Sequence, residues 1–450
     1  MRAIRILCSI VAVCLLLSLA ALAMERQPNA DYRARRQALA AKTDGGVVLI
    51  FADTESSGGD AIYGFRQNDN FYYLTGLSDP GGALLIAPAV EAKPDAPAHP
   101  YTEVLFLPEH NKTQEKWTGP KLGPGDTNAV QVTGFDHVEP LDNMHEALLH
   151  YAPGPRVTIY ADLGRYDEQS NAASPIDWLR RSNAFPAGTS FKDVKPLLAS
   201  LRTVKDAGEI DLVRKAVNAS MAAHLAAMKA MHPGVSEREI SALMQYEFDK
   251  RGCERPAYAP IVGSGANSTL LHYSADSATI ASGDVVVIDV AGEYSMYASD
   301  ITRTLPANGK FTARQREIYD IVLGAQNAAI AAFQSGKSHL QRDDPDSLYK
   351  VAYDYINSHG KDLHGDPLGK YFIHGLGHYV GLNVHDPGDY KIPLAPGMIF
   401  TIEPGIYIAE EKLGVRIEDM FLVDRDGKLV KLTASLPSTA EQVEHAMAEK

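Results

Sequence analysis

The stretch Val285-Val286-Val287-Ile288-Asp289-Val290, with Ser299-Asp300-Ile301-Thr302-Arg303-Thr304 just beyond it, decides how the C-terminal half of this chain folds. Four β-branched residues lead straight into an aspartate. A carboxylate at the end of such a run is costly unless it is paired or ligates a cation. Asp300 follows eleven residues after Asp289, a natural span for adjacent strands joined by a turn through Gly292-Glu293. Both carboxylates would then face one point. The competing reading has Asp289 capping a turn and Asp300 paired with Arg303.

Upstream of this stretch the pattern is helical. Ile210, Val213, Val217, Met221, Leu225 and Met228 recur at helical spacing over Asp206–Met231, and Pro233-Gly234 ends the run. Ser236-x-x-Glu239 is a capping box that opens a second helix to about Lys250, with Gly252 just past its end. The β-type runs are Asp284–Val290 and Met296–Leu305. Downstream the pattern restarts: Thr312-x-x-Gln315 caps a helix to about Phe333, a further helix spans about Asp346–Ser358, and β-rich runs continue to about Val423. Helix–helix–strands, twice, reads as an internal pseudo-duplication of an α+β unit whose halves meet at a cleft.

Residues 31 to 198 have a different texture. Short β-rich runs at Gly46–Phe51, Ala83–Ala87, Val104–Leu107 and Arg156–Tyr160 alternate with turn residues, and Pro94, Pro97 and Pro100 mark a surface loop. This reads as a smaller α/β domain at about 30–198, ahead of a catalytic domain at about 200–440. At the start, Arg2 and Arg5 precede an apolar run Ile6–Ala20 and then Ala21-Leu22-Ala23. That order is a secretory signal over residues 1–23, which implies an exported, periplasmic or secreted protein with no membrane anchor after cleavage; an uncleaved anchor is the other reading. Cys8 and Cys14 would leave with it. Cys253 would remain alone, read as a small buried apolar residue.

Bulk composition sets the class. The 450 residues are 45% hydrophobic and 22% charged, as in a folded soluble enzyme. Lys plus Arg number 43 against 56 for Asp plus Glu, a net charge of −13. That balance makes duplex nucleic acid a poor partner, since its affinity rests on Lys/Arg at phosphates.

Three more clusters carry chemistry. Ile373-His374-Gly375-Leu376-Gly377-His378 is followed by His385-Asp386-Pro387-Gly388. A helical zinc pair is improbable with Gly375, Gly377 and Gly381 in place, and the glycines imply backbone brought close to something. Phe400-Thr401-Ile402-Glu403-Pro404-Gly405 and Val415-Arg416-Ile417-Glu418-Asp419 each place a glutamate in apolar, strand-like surroundings. Taken singly, Glu418 could pair with Arg416 and Glu403 could sit at a strand end before a turn. Together, Asp289, Asp300, His378, Glu403 and Glu418 supply four carboxylates and one imidazole. Without a cation they could not all ionise in one pocket, because like charges raise each other's pKa. Two divalent metals resolve this. Oxygen-rich ligation with one nitrogen suits Mn²⁺ or Co²⁺, with Zn²⁺ possible, and carboxylates can bridge two metals that share a hydroxide nucleophile.

These residues resemble the pita-bread metallopeptidases, and within them the aminopeptidase P (Xaa-Pro aminopeptidase) and prolidase branch. The motifs are Ile288-Asp289, Tyr297 to Thr304, His374-Gly375-Leu376-Gly377-His378, Val384-His385-Asp386, Ile402-Glu403-Pro404-Gly405 and Arg416-Ile417-Glu418-Asp419. Ile261 to Gly265, Leu271-His272-Tyr273 and, in the N-terminal region, Arg66 to Gly76 extend the likeness to about residues 30–440. The resemblance implies a pita-bread catalytic domain with a pseudo-twofold repeat. It implies Asp289 and Asp300 as metal ligands with Asp300 bridging, His378 and Glu403 on one metal, and Glu418 bridging both.

By the same resemblance Glu403 is the general base and His374 hydrogen-bonds the scissile peptide and stabilises the oxyanion. His385 lies near the scissile proline and His272 contacts substrate. Tyr407 and Arg416 orient Glu418 and the transition state. Ala291 and Met420 depart from the family pattern, and neither is expected to touch a ligand position. The implied activity is release of the N-terminal residue from peptides with proline second, by a homodimer or tetramer. The alternatives are an Xaa-Pro dipeptidase of prolidase type and a non-catalytic peptide-binding protein.

Overall fold

The computed structural model describes residues 24–55, 63–88, 102–151, 156–163, 185 and 188–449. The apolar leader with Cys8 and Cys14, and the loop containing Pro94, Pro97 and Pro100, lie outside them. Two units are compact in themselves: residues 27–204 with 386–388, and residues 205–385 with 389–449 together with the short segment 24–26. Among the described residues no helix is long and apolar enough to cross a membrane.

The N-terminal unit is built on a six-stranded mixed sheet. Its strands are β1 (Val47–Phe51), β2 (Ala83–Ala87), β3 (Thr102–Leu107), β4 (His137–Pro140), β5 (Thr158–Ala161) and β6 (Ser190–Asp193), in the order β4-β3-β2-β1-β5-β6. β1, β2 and β3 pair antiparallel, while β1–β5, β3–β4 and β5–β6 are parallel. The central strands are apolar at nearly every position. Such runs belong to strands covered on both faces, and Val47, Leu49, Leu85, Val104, Phe106 and Ile159 are buried in one core with Leu148.

The C-terminal unit opens with α1 (Ala207–Ala230) and α2 (Glu237–Asp249). Capping boxes start both: Asp206 with Glu209, and Ser236 with Glu239. Strands β7 (Arg255–Pro256), β8 (Ile261–Ser264), β9 (Val285–Asp289), β10 (Gly292–Tyr294), β11 (Tyr297–Ala298) and β12 (Thr302–Pro306) follow. Then come α3 (Ala313–Ala332) and α4 (Leu348–Ser358), and strands β13 (Ile399–Ile402), β14 (Gly405–Ile408), β15 (Leu413–Arg416), β16 (Asp419–Val423) and β17 (Leu429–Lys431). The helix–helix–strands pattern therefore occurs twice, with the antiparallel sheet β12-β9-β8 in one half and β13-β16-β17 in the other.

Three expectations need correction. The chain does not turn at Gly292-Glu293, which lie inside β10. The turn falls at Ser295-Met296, both with positive φ (49° and 71°), closing the β10–β11 hairpin. Mirror-image turns of this kind match the twist of a hairpin, and glycine or asparagine is the usual occupant, so the text gave no cue. Met296–Leu305 is two strands, interrupted at Ser299-Asp300-Ile301. After Ser358 no named strand forms until Ile399; residues 359–398 form loop, turns, bends and one short 3₁₀ turn, with isolated bridges such as Tyr379 to Phe400. A final helix α5 (Ala440–Ala448) is capped by Thr439 and Gln442. Cys253 is buried and free, and burial pushes its thiol up to about 12, as suits an inert packed residue.

Candidate active site

Strand register gathers the site. In the β9–β12 pair Asp289 stands opposite Thr302, and Thr302 bridges in turn to Glu418. The Glu418 N–H donates to the Thr302 carbonyl at 3.1 Å, and the Thr302 hydroxyl donates to Glu418 Oε2 at 2.7 Å. Asp289, Thr302 and Glu418 thus lie in one row across the two halves of the unit. The row explains why Asp289 ends a hydrophobic strand: the strand carries it to the seam.

A second register brings in His378 and Glu403. Backbone bonds Val380 N to Ile399 O, Thr401 N to His378 O and Glu403 N to Leu376 O run residues 376–380 antiparallel to β13. The glycine at 377 is required for this approach, since any side chain there would overlap the Thr401 carbonyl, whereas Gly375 has open space. His378 is fixed at both ends of its peptide and ring. Its N–H donates to Thr401 Oγ1 and its Nδ1 bonds the Tyr379 carbonyl at 3.1 Å. Nε2 is therefore left facing Asp300 Oδ2 at 3.2 Å and Glu403 Oε1 at 3.5 Å.

The five expected ligands converge. Ligand atoms of Asp300, His378 and Glu418 lie within 4.8 Å of one another. Tyr258 Oη sits 2.7 Å from both Asp289 Oδ1 and Asp300 Oδ1, and Glu403 joins through His378. A single phenolic proton cannot satisfy two carboxylates. Glu418 Oε1 is buried with no hydrogen-bond partner. An unpaired buried carboxylate oxygen is rare and expensive, and here it points into a pocket of carboxylates.

The electrostatics agree. Burial, then the neighbouring carboxylates, push Glu418 well above the usual range, and burial raises Asp300 as well. Burial pushes Glu403 up to about 7, with Asp300 adding to it against the charge of His378. Burial opposes charge on His378, but the Asp300 hydrogen bond and Glu403 outweigh it and push the ring up to about 9. Crowded acids, one nitrogen held by its other ring atom and an orphaned oxygen form a donor set that fits oxygen-preferring divalent cations.

The remaining expected residues line a cleft of about 520 Å³ around this cluster. His272, His374, His385 and Arg416 line it directly, and Tyr407 stands behind His374. The His385 ring meets His378 edge-on at 4.3 Å and is pushed down to about 4 by burial, then by His378 and His272. Burial and then Arg416 push His374 down to about 3, so it is neutral near pH 7.

Two role expectations change in detail. Arg416 does not pair with Glu418. Its Nη2 donates to Asp289 Oδ2 at 2.6 Å and its Nη1 to Tyr407 Oη at 2.9 Å, and it reaches Glu418 only through the Thr302 hydroxyl. The strand ends at Arg416, so Glu418, beyond Ile417, does not share its face, and the Asp289 carboxylate is the nearer acceptor. His374 Nδ1 donates to the Gly375 carbonyl at 2.8 Å and Nε2 meets Tyr407 Oη at 2.8 Å. The neutral ring's one proton is thus already engaged, and donation to a substrate requires the ring to turn or gain a proton. Likewise Arg303 pairs with Asp419 at 2.7 Å rather than with Asp300.

Several residues escaped the sequence reading. Tyr258 joins the two aspartates, and Thr302 and Thr401 seat Glu418 and Glu403. Met420, expected to touch no ligand position, does touch one: its Sδ accepts the Asp300 N–H at 3.2 Å. His224, on the buried face of α1, places Nε2 at 3.0 Å from the Val290 carbonyl and 3.1 Å from that of Ile301. It clips together the segments that carry Asp289 and Asp300. Only a polar residue on an otherwise apolar helix face could have signalled it.

Residues 211–425 match the model of metallopeptidase family M24, and residues 32–160 match that of the aminopeptidase P N-terminal domain. The Xaa-Pro aminopeptidase of Escherichia coli (strain K12) is 34% identical over 93% of this chain and 97% of its own length. Human Xaa-Pro aminopeptidase 3 is 32% identical over 89% of this chain and 80% of its own. Among solved structures, proline aminopeptidase P II from Yersinia pestis superposes with a TM-score of 0.80 at 33% identity, covering 94% of this chain and 100% of that one. A zinc-substituted E. coli aminopeptidase P in complex with product gives 0.81 at 30% identity, over 94% and 99%.

Proposed function

The chain belongs to metallopeptidase family M24, and on that premise we propose that it is a metal-dependent exopeptidase releasing the N-terminal residue from peptides whose second residue is proline. The observation that carries this is the unpaired Glu418 oxygen buried inside a ring of three further carboxylates and His378, at the floor of an open cleft. Relatives of nearly the same length are named for this activity.

Asp289, Asp300, His378, Glu403 and Glu418 would hold two divalent ions, Mn²⁺ by our reading. When bound, such ions polarise a carbonyl and lower the pKa of water. The chain's own groups do the rest. Glu403 takes the proton of the attacking water at a carboxylate oxygen, its Oε1 already anchored by the Thr401 hydroxyl at 3.3 Å. Arg416, tied to Asp289 and Tyr407, fixes the side of the cleft on which His374 stands. His374, backed by Tyr407, supplies a hydrogen bond to the scissile peptide once its ring is re-aimed. His385 and His272 border the second lobe of the cleft, beside Tyr258 and Asp289, and would flank the proline. Proline's locked φ and missing N–H exclude it from general peptidase clefts, so a pocket fitted to its ring supplies the selectivity.

The test is product analysis by mass spectrometry on Mn²⁺-loaded protein. It receives an Xaa-Pro-Yaa tripeptide, an Xaa-Pro dipeptide and an Xaa-Ala-Yaa control, with a chelated sample alongside. Release of the first residue from the tripeptide, abolished by the chelator and absent from the control, is expected. Cleavage of the dipeptide alone would make the protein a dipeptidase, and no cleavage with any divalent ion would leave a binding role. We propose export as well, on the charged, apolar and small-residue order of residues 2–23. Intact mass of the exported protein should begin after Ala23. A homodimer or tetramer is the proposed assembly, readable by light scattering.

A further inference from the structure

Arg416 and Arg342 are the two cationic side chains of Lys/Arg type that line the main cleft. Arg416 is fully engaged by Asp289, Tyr407 and Thr302. Arg342 is exposed and makes no ion pair with a carboxylate among the described residues. Its position is nonetheless built. The guanidinium lies over the Tyr349 ring at 5.5 Å; Tyr349 stacks on Phe372 at 5.1 Å; Phe372 meets the edge of His374 at 5.2 Å. Tyr349 and Phe372 are buried, so this aromatic row is a fixed strut from the arginine to the cleft. The loop itself is tied down by the Leu340 N–H on the Tyr390 carbonyl and the Leu348 N–H on the His339 carbonyl. Arg342 is also one of the charges that hold His374 neutral, which places its field inside the cleft.

A stacked, unpaired guanidinium at the edge of a cleft is suited to a planar anion, which it grips with two parallel N–H donors. Resting on the exopeptidase reading, the chemistry of the substrate says which anion. The first residue carries a free ammonium, which a cation repels. The far side of the peptide carries a carboxylate, either the C-terminus of a short peptide or an acidic side chain. We propose that Arg342 is a specificity residue that binds a carboxylate on the leaving side of the substrate, beyond the proline. The protein then favours short or acidic Xaa-Pro peptides over amidated or basic ones.

The test measures kcat/KM of wild type, Arg342→Ala and Arg342→Lys on four peptides: Ala-Pro-Ala as acid, the same as amide, and Ala-Pro-Asp-Ala and Ala-Pro-Lys-Ala as amides. Binding of each peptide by titration calorimetry is measured in parallel. For an exposed pair with good geometry the wild type should favour acid over amide by about two- to fivefold. Arg342→Ala should bring that ratio to about one, with the loss appearing in the KM of the acid peptide, and Arg342→Lys should restore part of it. A preference in the first pair assigns the C-terminus as the anion, and one confined to the Asp/Lys pair assigns the third side chain. An acid-to-amide and Asp-to-Lys ratio near one in wild type, or a ratio that survives Arg342→Ala, overturns the proposal. If no peptide is cleaved, the exopeptidase reading falls, and the Arg342-dependent binding difference alone then decides this one.

Discussion

Glu418 and Asp419 are consecutive carboxylates, 1% and 0% exposed, yet the two sides of strand β16's entrance give them opposite states. Asp419 faces Arg303 at 2.7 Å and Lys431 at 2.7 Å, with the Thr433 hydroxyl and the Gln326 amide completing its shell. Burial works against its charge, but Arg303 and Lys431 win and hold it down at about 2. Glu418 receives one hydroxyl, faces three more acids, and is driven upward. The difference teaches how to tell a structural buried charge from a functional one. The first is saturated by cations of its own chain; the second is left to be completed from outside.

The comparison breaks most visibly on substitution. Glu418→Gln removes the incomplete charge at constant shape, and turnover of the Xaa-Pro tripeptide should drop by a factor of about 1,000 or more, or about 4 kcal/mol. The melting temperature of the chelated protein should stay level or rise. Turnover within tenfold of wild type would show that Glu418 is no part of the machinery. Asp419→Asn should behave the other way round. It strands Arg303, which is 0% exposed, and should cost about 3–5 kcal/mol of stability in urea unfolding. Its turnover per folded molecule should suffer far less than that of Glu418→Gln. A stability loss under 1 kcal/mol would mean that the saturated pair is not structural.

His224 sharpens the same contrast with pH. It is buried as the neutral ring, pushed down to about 4 by burial and then by Arg303. Its unfolded pKa is near 6.5, so between the two values the unfolded chain binds the extra proton. Stability from this group is therefore complete above about pH 6.5 and is lost as pH falls toward 4. From pH 7 to pH 5 the wild type should lose about 2 kcal/mol more than His224→Gln, read from denaturation midpoints at each pH. Parallel curves would remove His224 as the neutral clip between Val290 and Ile301.

Much of this was open to reading before any coordinates. Ser236 and Thr312 announce two helices because a capping box is a local device, written within four residues. Asp206-x-x-Glu209 and Thr439-x-x-Gln442 are the same device at two further helices. Asp289, Glu403 and Glu418 stand out because each sits in apolar sequence that penalises a carboxylate, Asp300 by its spacing from Asp289, and His378 by the glycine-flanked histidine cluster. What could not be read depends on which strand lies beside which. Tyr258, Thr302 and Thr401 are ordinary residue types until register sets them against Asp289, Glu418 and Glu403. Arg416 turns to Asp289, not Glu418, for the same reason. The Ser295-Met296 turn was hidden because neither residue favours positive φ, so only the strands on either side impose it.

The most direct measurement of the central claim is divalent-ion binding to chelated wild type, Glu418→Gln and Asp419→Asn, by titration calorimetry with Mn²⁺ and by the melting temperature at saturating ion. Two ions per wild-type chain are expected, each stabilising by about 2.7 kcal/mol at an ion concentration one hundred times its Kd. Binding should be lost or halved in Glu418→Gln and preserved in Asp419→Asn wherever that variant is folded. No ion bound by the wild type, or equal binding by wild type and Glu418→Gln, would contradict it.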